Sequence, residues 1–346
     1  MPRQYLWSDT NGPGQSIGQE NPSAFMRKIL KQCLVTGYAG KPAAGWSVVY
    51  ETARVLYLQN PSGTVVAAFY DAGGEGMTTF IFLMENLPPN PIGDLPKGTN
   101  MRSGLYSTDY PGGIGYHCFG IRYHQGPIRW TVVADDRSFF FAWNDSSLIQ
   151  PGIGSWTYSF RGLLYVGELA GGQTVALGGQ GGNSQYNNES VFLGAKAGMS
   201  KTNWSPYAPM STVLRNPVTG TVIDPATLAE FVCDQAANIY SQNSQATQSS
   251  AFVDTPYLPD EVSLAQPGLF YGNVSIPGGR IRGLVLPLGM ESLDYRHHYK
   301  FLSGNDFSGT DDLYKPVQTQ SGLAIPVSSN QLLSYTYWIM LDEAFW

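Results

Sequence analysis

The residue types able to do chemistry are sparse in this sequence, and few of them are spaced for it. One Gly-x-Ser-x-Gly pattern occurs, at Gly14-Gln15-Ser16-Ile17-Gly18. A hydrolase nucleophile elbow needs a buried strand feeding that turn, whereas Ser8–Gly14 is a run of turn formers, so Ser16 reads as a chance match in a glycine-rich chain. Two adjacent carboxylate pairs, Asp135-Asp136 and Asp311-Asp312, bring glycoside hydrolysis to mind. Neighbours on a strand point to opposite faces, which separates such a pair. Asp135-Asp136-Arg137 also lies between two apolar runs, so the expectation is a hairpin connection in which Asp bonds its own backbone; ion pairing and a cation site are the alternatives. His117, His124, His297 and His298 lack the i, i+4 spacing of a helical metal site, and Cys118 has no Cys-x-x-Cys partner. The Gly-rich GGQGG at 178–182 lacks the Lys-Ser/Thr of a phosphate loop and reads as a mobile loop. The sequence therefore points to no catalytic residue, no cofactor site, no metal site and no enzymatic activity.

What remains is aromatic. Trp143, Trp156, Trp204 and Tyr207 sit near turns, and Trp346 closes an aromatic terminal segment from Tyr335. These five are the candidate interface or glycan contacts, because an aromatic face stacks on a sugar ring as readily as on a protein neighbour; packing in a core or interface is the plainer use. Asn203-Trp204-Ser205 has the form of a glycosylation acceptor, which means nothing without a secretory route.

Composition narrows the classes. Charged residues make up 13% of the 346-residue chain, against about 25% in an ordinary globular domain. Low charge with abundant Tyr, Trp, Asn, Ser and Gln suits a surface partly covered by neighbours. The net charge of −6 argues against nucleic-acid binding, which draws on Lys and Arg to neutralise phosphate. The N-terminal MPRQYLWSDTNG has no apolar signal core, and runs such as Phe80–Met84 are too short to span a membrane. Cys33, Cys118 and Cys233 are odd in number and far apart, which favours a reducing compartment over a disulfide framework. The expectation is a soluble product made in the cytoplasm.

The elements that must position these groups begin with a polar arm over residues 8–21. A helix follows, with Asn21 as N-cap, Pro22 at the first turn, and Phe25, Met26, Ile29, Leu30, Cys33 and Leu34 as its apolar stripe. Gly37 stops it, and LVTGYAGKPAAGWSVVY bends into a strand predicted to carry Trp46, Val48 and Tyr50 on one face. A meander is expected over Arg54–Leu58, Thr64–Tyr70 and Met77–Met84, followed by a Pro/Gly-rich excursion from Leu87 to Gly113. IRWTVVA and RSFFFAW are apolar enough to be covered on both faces. Gly171–Gly182 and 241–250 read as connections or loops, and Asp224-Pro225 as the cap of a helix carrying Leu228, Phe231 and Val232. Strands return at Leu269–Ile276, Arg280–Leu288 and Leu332–Leu341. The fold class is thus mainly β: a β-sandwich or barrel-like body with one N-terminal α-helix and a second β region. The predicted divisions are 1–170 for the helix and β body, 171–255 for a Gly/Ser/Asn-rich insertion or linker, and 256–346 for the C-terminal β region.

SDTNGPG near the start, LKQCLVTGYAGKPAAGW, the RWTVVADDRSFFFAW hairpin and SFRGLLYVGEL together resemble a family of uncharacterised virion structural proteins of tailed bacteriophages. Its Gly-Tyr-Gly and Ala-Ala-Gly-Trp positions fall on Gly37-Tyr38, Ala43-Ala44-Gly45 and Trp46, with Ala39 where a second glycine is usual. The likeness covers the first half and, more loosely, PGLFYGN and GLVLPL; residues 171–255 have no counterpart. It implies a tail-associated particle component, in the tail tip, baseplate or fibre-attachment region. Its partners would be other virion proteins and copies of itself, with no nucleic acid and no membrane insertion. A glycan-binding adhesin contacting the host surface and a capsid decoration protein are the alternatives. The resemblance carries no catalytic residues.

Overall fold

The computed structural model describes residues 1–14, 21–71, 78–87, 98, 119–122, 128–145, 161–181, 210–212, 230–232, 263–265, 268–271, 276–288, 316–319, 322–327 and 337–346. Among these the chain is mainly β, with strands in four sheets and one N-terminal α-helix.

Helix α1 (Pro22–Lys31) starts where the capping residue dictates: the Asn21 side chain accepts from the Ala24 N–H at 3.0 Å, and proline stands in the first turn. Its whole predicted stripe, Phe25 to Leu34, is buried. The helix does not simply stop, however. A π-helical turn, Gln32–Thr36, keeps Cys33 and Leu34 facing the core before Gly37, at φ 68°, ends it with a bond from its N–H to the Gln32 carbonyl. The carbonyls left over at that end are taken by the returning backbone: Ala44 N–H bonds Cys33 O, and Gly45 and Trp46 N–H both bond Leu34 O.

The strands that follow, β2 (Ser47–Glu51), β3 (Val55–Gln59), β4 (Val66–Asp71), β5 (Thr78–Met84) and β6 (Phe119–Arg122), form the expected antiparallel meander in chain order. One detail differs. Register shifts between Val48 and Tyr50, so Val48 pairs with Leu58 while Tyr50 pairs with Tyr57. Val48 packs on the main core and Tyr50 on the cluster of the opposite face, with Val49 exposed at the bulge. Strict alternation would have kept Trp46, Val48 and Tyr50 together; the extra residue of the bulge breaks that parity.

The second sheet is built from β7 (Ile128–Ala134), β8 (Ser138–Asp145), β9 (Arg161–Glu168), β10 (Thr174–Gly181) and β11 (Met210–Thr212), all antiparallel in that order. Its outer edge is β1 (Arg3–Leu6), a strand inside the N-terminal tetrad that propensity did not mark, paired with β7 from Arg3 opposite Ala134 to Leu6 opposite Thr131. Strand β10 corrects the loop expected at 171–182. Thr174–Leu177 starts a ladder with β9 that runs on through Gly181, so backbone pairing overrides the poor strand propensity of its glycines. The inward residues of this sheet (Trp130, Val132, Phe139, Phe141, Leu164, Val166) share one core with Leu56, Leu58, Phe69, Ile81 and Leu83 of the meander and with the helix stripe. The opposite face is equally dry: Val133, Phe140, Leu163, Tyr165 and Val175 are fully buried. Coverage on both faces therefore holds.

The remaining described strands are β12 (Glu230–Val232), β13 (Ser263–Ala265), β14 (Gly268–Tyr271), β15 (Ile276–Arg280), β16 (Leu284–Leu288), β17 (Val317–Thr319), β18 (Gly322–Val327) and β19 (Tyr337–Met340). They make sheets ordered β12-β14-β15 and β13-β16-β19-β18-β17. Phe231 and Val232, expected on a helix, lie in β12 and pair with β14; Asp224, Pro225 and Leu228 fall outside the described residues, as does 241–250.

Candidate functional site

Chemistry-bearing groups come together at the tip of the β7–β8 hairpin. The Asp135 carboxylate folds back on its own turn, Oδ1 accepting from Arg137 N–H at 2.9 Å and Ser138 N–H at 2.8 Å. This is the self-bonded hairpin Asp expected from the sequence. Its other oxygen is taken by a residue 147 positions away: Arg282 Nη2 donates to Oδ2 at 2.7 Å, while Nη1 reaches Ser138 Oγ at 3.2 Å. Both partners are buried, at 8% and 7% side-chain exposure. Trp46 Nε1 donates to the Asp135 carbonyl at 2.9 Å. Helix–strand junction, hairpin and C-terminal region thus meet on one residue.

That geometry decides what Asp135 does. A carboxylate committed to two backbone N–H groups and a guanidinium holds the hairpin in place. Asp136, the next residue of the turn, is exposed, so the two acids differ in environment: one is buried and paired, the other faces solvent.

Beside this lock lies a cleft of about 420 Å³ whose wall includes Arg3, Asp136, Arg137, Arg282, Glu343 and Trp346. It is a place of mixed charge with an aromatic flank, suited to recognition. Arg282 was not singled out from the sequence. Its signal was an arginine set between Ile281 and the apolar Leu284–Leu288, since charged residues enter such surroundings only when paired.

Two further clusters are structural ties. Asp9 Oδ2 accepts from Tyr38 Oη at 2.6 Å and Leu6 N–H at 2.7 Å and pairs with Lys41 Nζ at 2.8 Å, while Lys41 also donates to Gln4 O. The two sequence motifs, SDTNGPG and GYAGKPAAGW, are therefore halves of one clip that fastens β1 against the helix end. Burial, and next the bond to Asp9, push the Tyr38 hydroxyl well above its ordinary range; burial lifts Tyr5 to about 12. Burial likewise drives the Cys33 thiol up, which keeps it protonated and unreactive. In the second cluster Glu168 Oε1 accepts from Asn60 Nδ2, Ser62 Oγ and Thr64 Oγ1, tying the β3–β4 turn to the end of β9.

Of the five candidate contact residues, Trp143 is a correction. It is 1% exposed, stacked on Phe141 at 5.4 Å, and its ring lies over Gly162, where any Cβ would overlap the indole. A turn-flanking position does not expose a side chain whose strand neighbour has made room for it. Trp346 docks on its own chain, edge-on to Phe140 at 5.7 Å with Nε1 bonded to Met340 O at 2.7 Å, over the bare Gly283. Trp156, Trp204 and Tyr207 lie outside the described residues, as do Ser16, Asp311, Asp312 and the four histidines. Among the described residues no group of three or more His, Cys, Asp or Glu is placed to hold a metal ion, and no helix is long and apolar enough to cross a membrane. Comparison with protein-family models, with curated proteins and with solved structures gives no match.

Proposed function

We propose that this chain is a structural subunit of a tailed-bacteriophage particle, in the tail tip, baseplate or fibre-attachment region, and that it works by symmetric assembly with copies of itself and with other virion proteins. The observation that carries the reading is the shortage of charge, 13% of residues in a chain of this length, because a surface destined to be covered sheds charged groups. The use of the described polar groups supports it: Asp9, Asp135, Glu168 and Arg282 serve to fasten segments to one another. The resemblance of the GYAGKPAAGW and RWTVVADDRSFFFAW segments to phage virion proteins gives the particle its class. Mass spectrometry of gradient-purified particles tests it. The chain is expected among the particle proteins in constant ratio to the others across the gradient peak; its absence from the peak overturns the reading.

A further inference from the structure

The unspent half of the Arg282 guanidinium gives the cleft a ligand class. A guanidinium carries five N–H donors. Ser138 Oγ and the two Asp135 oxygens engage Nη1 twice and Nη2 once. The Nε–H and the second Nη2 hydrogen remain, and no acceptor for either occurs among the described residues. These two donors lie parallel on one edge of the plane, the fork that matches the two oxygens of a carboxylate or phosphate. Arg282 is 7% exposed and lines the cleft, so the fork is held rigidly from behind by Asp135 and needs no ordering on binding.

We propose that this cleft binds a single carboxylate, presented by an acidic side chain of a neighbouring polypeptide, which docks in bidentate fashion on the free edge of Arg282 with Arg137 and Arg3 at the rim. The rim sets the preference between oxyanions. Asp135, Asp136 and Glu343 line the same cleft, Glu343 with the Met1 ammonium 3.6 Å away, and the remaining negative charge disfavours a dianion or a polyphosphate more than a monovalent carboxylate. Trp346, on the cleft wall, flanks the bound group and reports on it. Only the identity of the occupant as a neighbouring subunit rests on the assembly reading above.

The test uses the full chain labelled at arginine nitrogen. A blocked tripeptide with a central aspartate is titrated in while the Arg282 Nε–H resonance and Trp346 fluorescence are followed, with the asparagine tripeptide and inorganic phosphate as the other arms. The aspartate peptide is expected to give a saturable downfield shift at Arg282, the asparagine peptide none, and phosphate a weaker affinity than the aspartate peptide. Arg137→Ala removes an exposed side chain and keeps the backbone N–H that bonds Asp135, so it is expected to weaken the aspartate peptide several-fold with unchanged thermal unfolding. An unmoved Arg282 resonance, equal response to asparagine, tighter binding of phosphate, or unchanged affinity in Arg137→Ala would each overturn the site. Failure here with the chain present in particles removes the carboxylate site alone; a positive titration with the chain absent from particles removes its occupant alone.

Discussion

Trp46 ties the helix–strand junction to the β7–β8 hairpin. It is 3% exposed, meets Phe139 edge-on at 5.3 Å, and bonds the hairpin carbonyl of Asp135. Trp46→Ala removes a large buried ring and leaves that carbonyl unpaired, so equilibrium denaturation should show a loss of about 3–5 kcal/mol; a change near zero would mean that the ring is dispensable to the core. The buried tyrosines set the alkaline limit. Tyr5 is raised to about 12, and burial raises Tyr38 and Tyr165 too. A hydroxyl harder to ionise when folded leaves the unfolded state to lose its proton first, near pH 10. The stability these groups contribute is therefore complete below about pH 10 and falls as pH rises toward about 12. A thermal melting series over that range should show a steep decline, reduced in Tyr5→Phe; a flat profile would contradict the burial of the three hydroxyls.

At the scale of elements, the helix end and the hairpin lock carry the most consequence. Gly37 holds φ 68°, and a Cβ there would sit 2.8 Å from the Ala43 nitrogen and the Lys41 carbonyl oxygen. Gly37→Ala should cost at least about 2 kcal/mol in denaturant unfolding, since a strained φ and backbone contact add; tolerance would show that the bend adapts. Arg282→Met strands Asp135 in a buried setting and should cost about 3–5 kcal/mol, with the Trp346 environment altered in fluorescence because Trp346 neighbours Gly283. A neutral result would argue that the C-terminal region is held by its apolar contacts alone. Much of this layer was legible in advance. Asn21-Pro22, the helix stripe, the meander and the self-bonded Asp135 follow from local chemistry that tertiary structure left intact. The failures have local causes as well. The π-turn and the Val49 bulge each add one residue to a regular period, which periodicity cannot register. Strand β10 draws its order from β9, and β1 from β7, so neither is written in its own residues. Arg282 was missed because its partner is distant in the chain, and Trp143 was misread because the space for it is made by Gly162 on another strand.

For the molecule as a whole, two sheets share a dry core, the N-terminal segment is strapped along β7 by the Asp9 clip, and the C-terminal Trp346 closes on Phe140. In the proposed particle, a body fastened in this way would present a preformed surface to its neighbours, and rigid surfaces lose little freedom on association. Its low charge would then belong to contact faces that repeat from copy to copy, which closed point symmetry satisfies without leaving an open end. The most direct measurement is a reconstruction of the intact particle into which the fold described here is fitted. The account predicts density for this chain as a closed, symmetric set of copies in the tail tip, baseplate or fibre-attachment region, each in contact with its neighbours. A map of the complete particle with no density that the fold fits would contradict it.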